Sequence, residues 1–183
     1  MAAFVTHDSY SDSHIRDILG SVKTIAVVGA SPKEVRPSFF VARYLLDKGY
    51  RVFPINPGQS GKTILGQSVY GSLKDVPGAI DMVDIFRSSD FVPRIVDEAL
   101  ALDPQPKVIW MQLGIRHDEA AKKAEASGIK VVMNRCPKIE YGRLSGEIGW
   151  AGVNSRVLSS RKPVMRDGHQ SLGLPPSTRG SGA

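Results

Sequence analysis

Apolar residues in this chain fall into short, nearly unbroken runs, separated by stretches in which they recur every three or four positions. The runs at 24–28 (TIAVV), 51–56 (RVFPIN), 81–86 (DMVDIF), 107–111 (KVIWM) and 129–133 (IKVVM) suit strands buried on both faces of a parallel sheet. Pro54 lacks a ladder donor and marks the second run as a strand end or an edge. Between the runs, Phe39, Phe40, Ala42, Leu45 and Leu46 repeat at helical spacing up to Gly49, a natural stop. Phe91, Val92, Ile95, Val96, Ala99 and Leu100 do the same behind Ser88 or Ser89 as a cap, with Pro93 in the first turn. A further helix is predicted from about His117 to Ser127, ending at Gly128. Ser11 to Leu19 offers Ser and Asp caps ahead of Ile15, Ile18 and Leu19, which predicts a short leading helix. This alternation predicts an α/β fold: a doubly wound, mainly parallel five-stranded sheet with helices on both faces and right-handed crossovers.

Two stretches stand outside the pattern. Residues 57–80 form a connection rich in Pro, Gly and Ser, with a brief turn of structure expected around Leu65 to Leu73; connections of that length in compact domains are often functional. Lys138 to Leu144 is expected to form a last helical turn, closing a domain over 1–144. Residues 145–183 have the Gly, Pro, Ser and Arg content of a flexible basic tail.

Charge reinforces that division. Of the net charge of +6, residues 142–183 supply four, through Arg143, Arg156, Arg161, Lys162, Arg166 and Arg179 against Glu147 and Asp167. The body is nearly balanced. Scattered cations with no aromatic platform among them argue against nucleic acid as a partner. No apolar run approaches the ~20 residues that span a bilayer, and Asp8, Asp12 and Asp17 do not suit a targeting segment. The expected location is the cytoplasm, with no membrane partner. The single Cys136 has no second Cys for a disulfide or a thiolate metal site.

The candidate chemistry lies where the first strand stops. After Gly29 come small Ala30 and Ser31, rigid Pro32, basic Lys33 and Arg36, and then a helix start near Pro37 and Ser38. Small side chains let a phosphate approach the backbone, the first N–H groups of a helix lack internal partners, and nearby cations add attraction. A phosphate-bearing ligand and a ligand-free strand-to-helix turn are both compatible with these residues alone. If a ligand is held, the loops after every strand converge on it: Gly29 to Arg36, Asn56 to Gly58, Phe86 to Ser89 and Met111 to Leu113.

A dinucleotide site would read GxGxxG in the first turn, with an acid near the end of the second strand. Here the turn reads GASPKE, the second strand ends in Asn56 and Pro57, and no Asp or Glu follows until Asp75. A basic turn with an amide in place of the acid suits a ligand richer in phosphate, such as a 3'-phosphorylated adenosine, although NADP shares that feature. Gly61, Lys62 and Thr63 resemble the end of a P-loop, but the leading glycine would have to stand at Asn56. Cys136 between Arg135 and Lys138 invites a nucleophilic reading, yet no histidine is placed as its base: His117 opens a helix, and His7, His14 and His169 are terminal.

The segments IAVVGASPK, RPSFFVARYLLDKGYRVFPINPG, ILGQSVYGSLKDVP, DMVDIFRSSDFVPRIVDEAL, VIWMQLGIR and VVMNRCPKIEY together resemble the small stand-alone CoA-binding domain proteins. Those in turn resemble the N-terminal half of the succinyl-CoA ligase alpha subunit. The likeness covers roughly Ser21 to Leu144. It implies a Rossmann-like domain that holds coenzyme A, or an acyl-CoA, by its nucleotide at the strand ends. By motif, it implies a phosphate turn of Gly29, Ala30, Ser31, Pro32 and Lys33, a second lip of Asn56 and Pro57, and further lips of Phe86, Arg87, Met111 and Gln112. Arg36 and Ser38 extend the phosphate end. The ligase's phosphorylated histidine belongs to a second domain, so no phosphoryl carrier is expected here. Pro137 and Tyr141 stand where small members often carry an apolar residue and a His.

The leading expectation is therefore non-catalytic binding of this nucleotide ligand. The alternatives are an NADP-linked or acyl-transfer enzyme using Cys136 or Glu140, and a structural subunit of a ligase-like assembly with a protein partner.

Overall fold

A computed structural model describes residues 6–147, and the chain divides into two compact units. The larger, Val22–Cys136, contains β1 (Thr24–Val28), α2 (Pro37–Asp47), β2 (Arg51–Ile55), the short β3 (Thr63–Ile64) and β4 (Gln67–Ser68), β5 (Met82–Ile85), α3 (Val92–Leu100), β6 (Val108–Met111), α4 (Asp118–Ala126) and β7 (Lys130–Val132). The smaller contains α1 (Asp12–Ser21) and α5 (Pro137–Ser145).

β2, β1, β5, β6 and β7 lie side by side in that order, and every neighbouring pair is parallel. The chain leaves β1 toward β2 on one side, then returns past β1 to β5 and continues outward on the other. Right-handed crossovers in opposite directions put α2 on one face and α3 and α4 on the other. Ala26, Val28, Val83, Ile85, Ile109 and Met111 share a core with Val92, Val96 and Ala99 of α3 and Ala120, Ala121 and Ala124 of α4. Phe39, Val41, Ala42 and Leu45 of α2 are buried as well. With both faces covered, Ile25, Ala26 and Val27 have no solvent exposure, which is why the run shows no polar alternation.

Pro54 does sit in an edge strand. Tyr70 takes up part of that edge, donating its N–H to Pro54 O at 2.9 Å and accepting from Asn56 N–H at 2.9 Å. At the opposite end of the strands, Asp81 ties three starts together. It accepts from the N–H groups of Lys23 and Thr24 at 2.8 and 3.2 Å and pairs with Lys107 at 2.8 Å.

Four elements differ from the sequence pattern. The 57–80 connection holds more structure than one turn: 3₁₀ turns at Pro57–Gln59 and Leu73–Asp75 flank a β3–β4 hairpin. Leu65 and Gly66 close the hairpin, both at positive φ (52° and 74°), as a two-residue loop requires. Ser88 and Ser89 do not cap α3. A 3₁₀ turn, Ser89–Phe91, precedes it, and Ser88 makes no side-chain cap there. Ser89 Oγ instead accepts from Arg116 N–H at 3.2 Å. His117 stands just before its helix as the cap, accepting at Nδ1 from Ala120 N–H at 3.2 Å. The expected last turn is a full helix, α5.

In the smaller unit, Arg143 of α5 bridges Asp12 of α1 and Glu140 of its own helix, each at 2.7 Å. The expected tail over 145–183 lies outside the described residues from 148 onward. Among the described residues, no helix is long and apolar enough to cross a membrane.

Candidate functional site

The order reversal falls between β1 and β5, the position beyond the carboxyl ends of the strands at which open α/β sheets hold their ligands. Gly29 directly follows β1 there, with φ 90°, a conformation open chiefly to glycine. A Cβ there would lie 3.2 Å from Arg87 Cδ and 3.4 Å from the Phe86 carbonyl carbon. The first and third lips thus touch at the one residue type that permits it.

The turn after Gly29 is pinned from β2. The N–H groups of Gly29 and Ala30 both donate to Ile55 O, at 3.0 and 3.2 Å. Asn56 Nδ2 donates to Ala30 O at 2.7 Å, while its Oδ1 accepts from Gly58 N–H at 2.9 Å. That second bond caps the 3₁₀ turn that Pro57 opens. Ser31 Oγ accepts from Lys33 N–H at 3.2 Å, and Arg36 N–H donates to Lys33 O at 3.0 Å. Arg36, extended at φ −84° and ψ 139°, then stands before α2, whose first residue is Pro37; its side chain makes no cap. Pro32, Lys33 and Arg36 are exposed, Ser31 is half-buried, and Ala30 and Ser38 are buried.

The side chains of Lys33, Arg36 and Arg87 form no ion pair or hydrogen bond with any described residue. Arg87 is nonetheless held in place. Its stem passes Gly29, and its guanidinium lies 4.2 Å from the centre of the Phe91 ring, a cation–π contact that leaves its N–H donors for another partner. Three cations whose N–H donors have no hydrogen-bond or ion-pair partner among the described residues therefore border a turn whose backbone is fixed.

The remaining lip residues are placed differently. Phe86 is half-buried, and its N–H closes on Val28 O at 2.9 Å. Met111 is fully buried in the α3–α4 core, so its side chain serves packing. Gln112 is 6 % exposed, and its Nε2 donates to both oxygens of Asp84, at 2.9 and 3.1 Å.

The sequence reading passed over Asp84. It is fully buried in β5, and that burial pushes its carboxyl up to about 8, against the opposing pull of the Gln112 hydrogen bond. Its signal was an acid inside an otherwise apolar strand run. The Arg87 and Phe91 stack was also missed, although both residues were visible four positions apart. Cys136 is buried, and Glu140 is buried and paired with Arg143. Among the described residues, no group of His, Cys, Asp and Glu could hold a metal ion.

The fold is a Rossmann-like α/β domain, and comparison with known proteins gives its family. The chain belongs to the CoA binding domain family, which matches residues 23–142. The uncharacterized protein YneT of Bacillus subtilis is 36 % identical over 131 residues, covering 72 % of this chain and 94 % of that protein. A solved structure of a hypothetical protein from Pyrococcus horikoshii is 39 % identical with a TM-score of 0.70, covering 79 % of this chain and 99 % of that one. An ADP-forming acetate–CoA ligase of Archaeoglobus fulgidus is 29 % identical over 147 residues, covering 76 % of this chain and only 21 % of the ligase.

Proposed function

We propose that this chain binds coenzyme A or an acyl-CoA through its nucleotide and does not transform it. The observation that carries this reading is the set of cations without an ion-pair partner among the described residues, Lys33, Arg36 and Arg87, around the fixed turn at Gly29. Gly29, Ala30, Ser31, Pro32 and Lys33 cradle a phosphate, with Ser38 at the opening of α2. Arg87 and Phe86 close the crevice from β5, while Asn56 and Pro57 form its rim at β2. Met111 and Gln112 form the β6 side mainly through their backbone, since their side chains are engaged below it.

Support for a non-catalytic role comes from where the reactive groups lie. Asp84, Cys136 and Glu140 are each buried, and Asp84 and Glu140 are engaged by Gln112 and Arg143 respectively. Calorimetric titration with CoA, dephospho-CoA, NAD and NADP tests the reading. Tightest binding of CoA is expected; NAD binding with no heat from CoA would refute it.

The match to a fifth of an acetate–CoA ligase favours one extension, in which the domain presents its ligand to a separate polypeptide. Co-purification of a ligase-like partner would support that, and a homogeneous chain with full CoA affinity and no partner would count against it.

A further inference from the structure

Asn56 occupies the place, just past the second strand, where dinucleotide domains carry the acid that reads a ribose. Its polar atoms already have protein partners. The backbone N–H donates to Tyr70 O at 2.9 Å and the backbone O accepts from Gln59 N–H at 3.0 Å. Oδ1 accepts from Gly58 N–H, and Nδ2 donates to Ala30 O. A side chain so committed is poorly placed to recognise a sugar.

What the Nδ2 bond does to the turn follows from peptide geometry. Ala30 is trans-linked to Ser31, the cis bond of the described residues being Asp103–Pro104, so the carbonyl of Ala30 and the N–H of Ser31 point in opposite directions. Asn56 holds that carbonyl toward β2. The Ser31 N–H must then face away from Asn56. It has no hydrogen-bond partner among the described residues. From the other direction, the bonds of Gly29 and Ala30 N–H to Ile55 O stop the preceding peptides from rotating.

We infer that Asn56 is a positioning residue rather than a ligand contact. It turns the peptide between Ala30 and Ser31 so that the Ser31 N–H is presented to a phosphate oxygen of the ligand. The inference rests on the phosphate-cradle reading above, but its geometric half does not need a ligand. An Asp at this position could still cap Gly58 N–H but would set a carboxylate against the Ala30 carbonyl. The amide that holds the turn and the acid that reads a ribose therefore exclude each other here, which ties the Asn to a ligand recognised by its phosphates.

The test uses the full chain and two variants, Asn56→Asp and Asn56→Ala. Calorimetry gives CoA affinity, and the Ser31 amide resonance is followed in ¹⁵N–¹H spectra during the same titration. The expected result is a large Ser31 shift with CoA in the unaltered chain, and its loss in both variants with affinity weakened about tenfold or more. A purely electrostatic effect of the new carboxylate would appear in Asn56→Asp alone and fade with salt, and that pattern would overturn the inference. So would unchanged affinity in both variants, or a Ser31 amide that CoA leaves unmoved. If the unaltered chain gives no heat with CoA, the function proposed above fails instead. A crystal structure of Asn56→Asp then decides the positioning claim: a rotated 30–31 peptide sustains it and an unrotated one ends it.

Discussion

Gly29 and Arg87 meet across the order reversal of the sheet: a methyl group on Gly29 would come within 3.2 Å of Arg87 Cδ. The contact places the stem of a cation beside the start of the Gly29 turn. Gly29→Ala should therefore act twice. Backbone strain at φ 90° should cost about 1–3 kcal/mol of stability, read by urea denaturation. Displacement of Arg87 should weaken CoA binding beyond that loss of stability. Equal stability and equal affinity would show that neither the conformation nor the contact matters.

Lys33→Ala, Arg36→Ala and Arg87→Ala remove exposed heads with no protein ion pair. Folding stability should stay within about 0.5 kcal/mol of the parent for Lys33→Ala and Arg36→Ala, and fall by about 0.5–1 kcal/mol for Arg87→Ala, which also loses its contact with the Phe91 ring. CoA affinity should fall by about 1.5–3 kcal/mol for each head that meets a phosphate. Raising the salt concentration should shrink that difference. Titration calorimetry at two ionic strengths checks both, and affinity unchanged in all three would remove the cations from the site.

Asp84 gives the fold a pH dependence of its own. Burial holds its folded-state carboxyl near 8, above the ordinary value of 3.8, so between those limits the native chain keeps a proton that the unfolded chain has released. Stability must fall as pH rises through that window, by at most about 1.4 kcal/mol per pH unit for one group, and level off above it. Gln112 can serve either form, donating from Nε2 to a carboxylate or accepting at Oε1 from a carboxylic acid. Asp84→Asn should keep the pair neutral and flatten this part of the curve. Parallel stability profiles for parent and variant between pH 4 and 8 would exclude the group as their source.

How much of this was legible in the sequence depended on range. The five strands could be read because each is a short apolar run with both faces covered, and the Gly29 turn because its chemistry is contiguous. β1 was read with its observed bounds, and each of the other four was read one residue too long at one or both ends. Asp81 and Phe86, for instance, make backbone bonds to Thr24 and Val28 yet lie just outside β5. The bond of Asn56 to Ala30 spans 26 residues and that of Gln112 to Asp84 spans 28. Both arise from strand adjacency, which no local pattern encodes. Ser88 misled for the opposite reason: a serine before an apolar run reads as a cap, whether a helix or a 3₁₀ turn follows.

The smaller unit makes an independent prediction. Arg143 joins Asp12 and Glu140, and its own side chain and that of Glu140 are only 16 % and 12 % exposed, against 49 % for Asp12. Arg143→Met should cost about 1–3 kcal/mol by stranding the Glu140 carboxylate, whereas Asp12→Ala should cost at most about 1 kcal/mol. Denaturant midpoints with equal slopes compare the two directly, and the reverse order would show that Glu140 does not depend on Arg143.

A crystal of this chain soaked with coenzyme A tests the central claim most directly. The account predicts density for the nucleotide phosphates against Gly29 to Arg36, with the Arg87 guanidinium turned onto one of them and the Ser31 N–H within hydrogen-bond distance of another. Coenzyme A bound in a different cleft, with the loops after β1 and β5 empty, would contradict it.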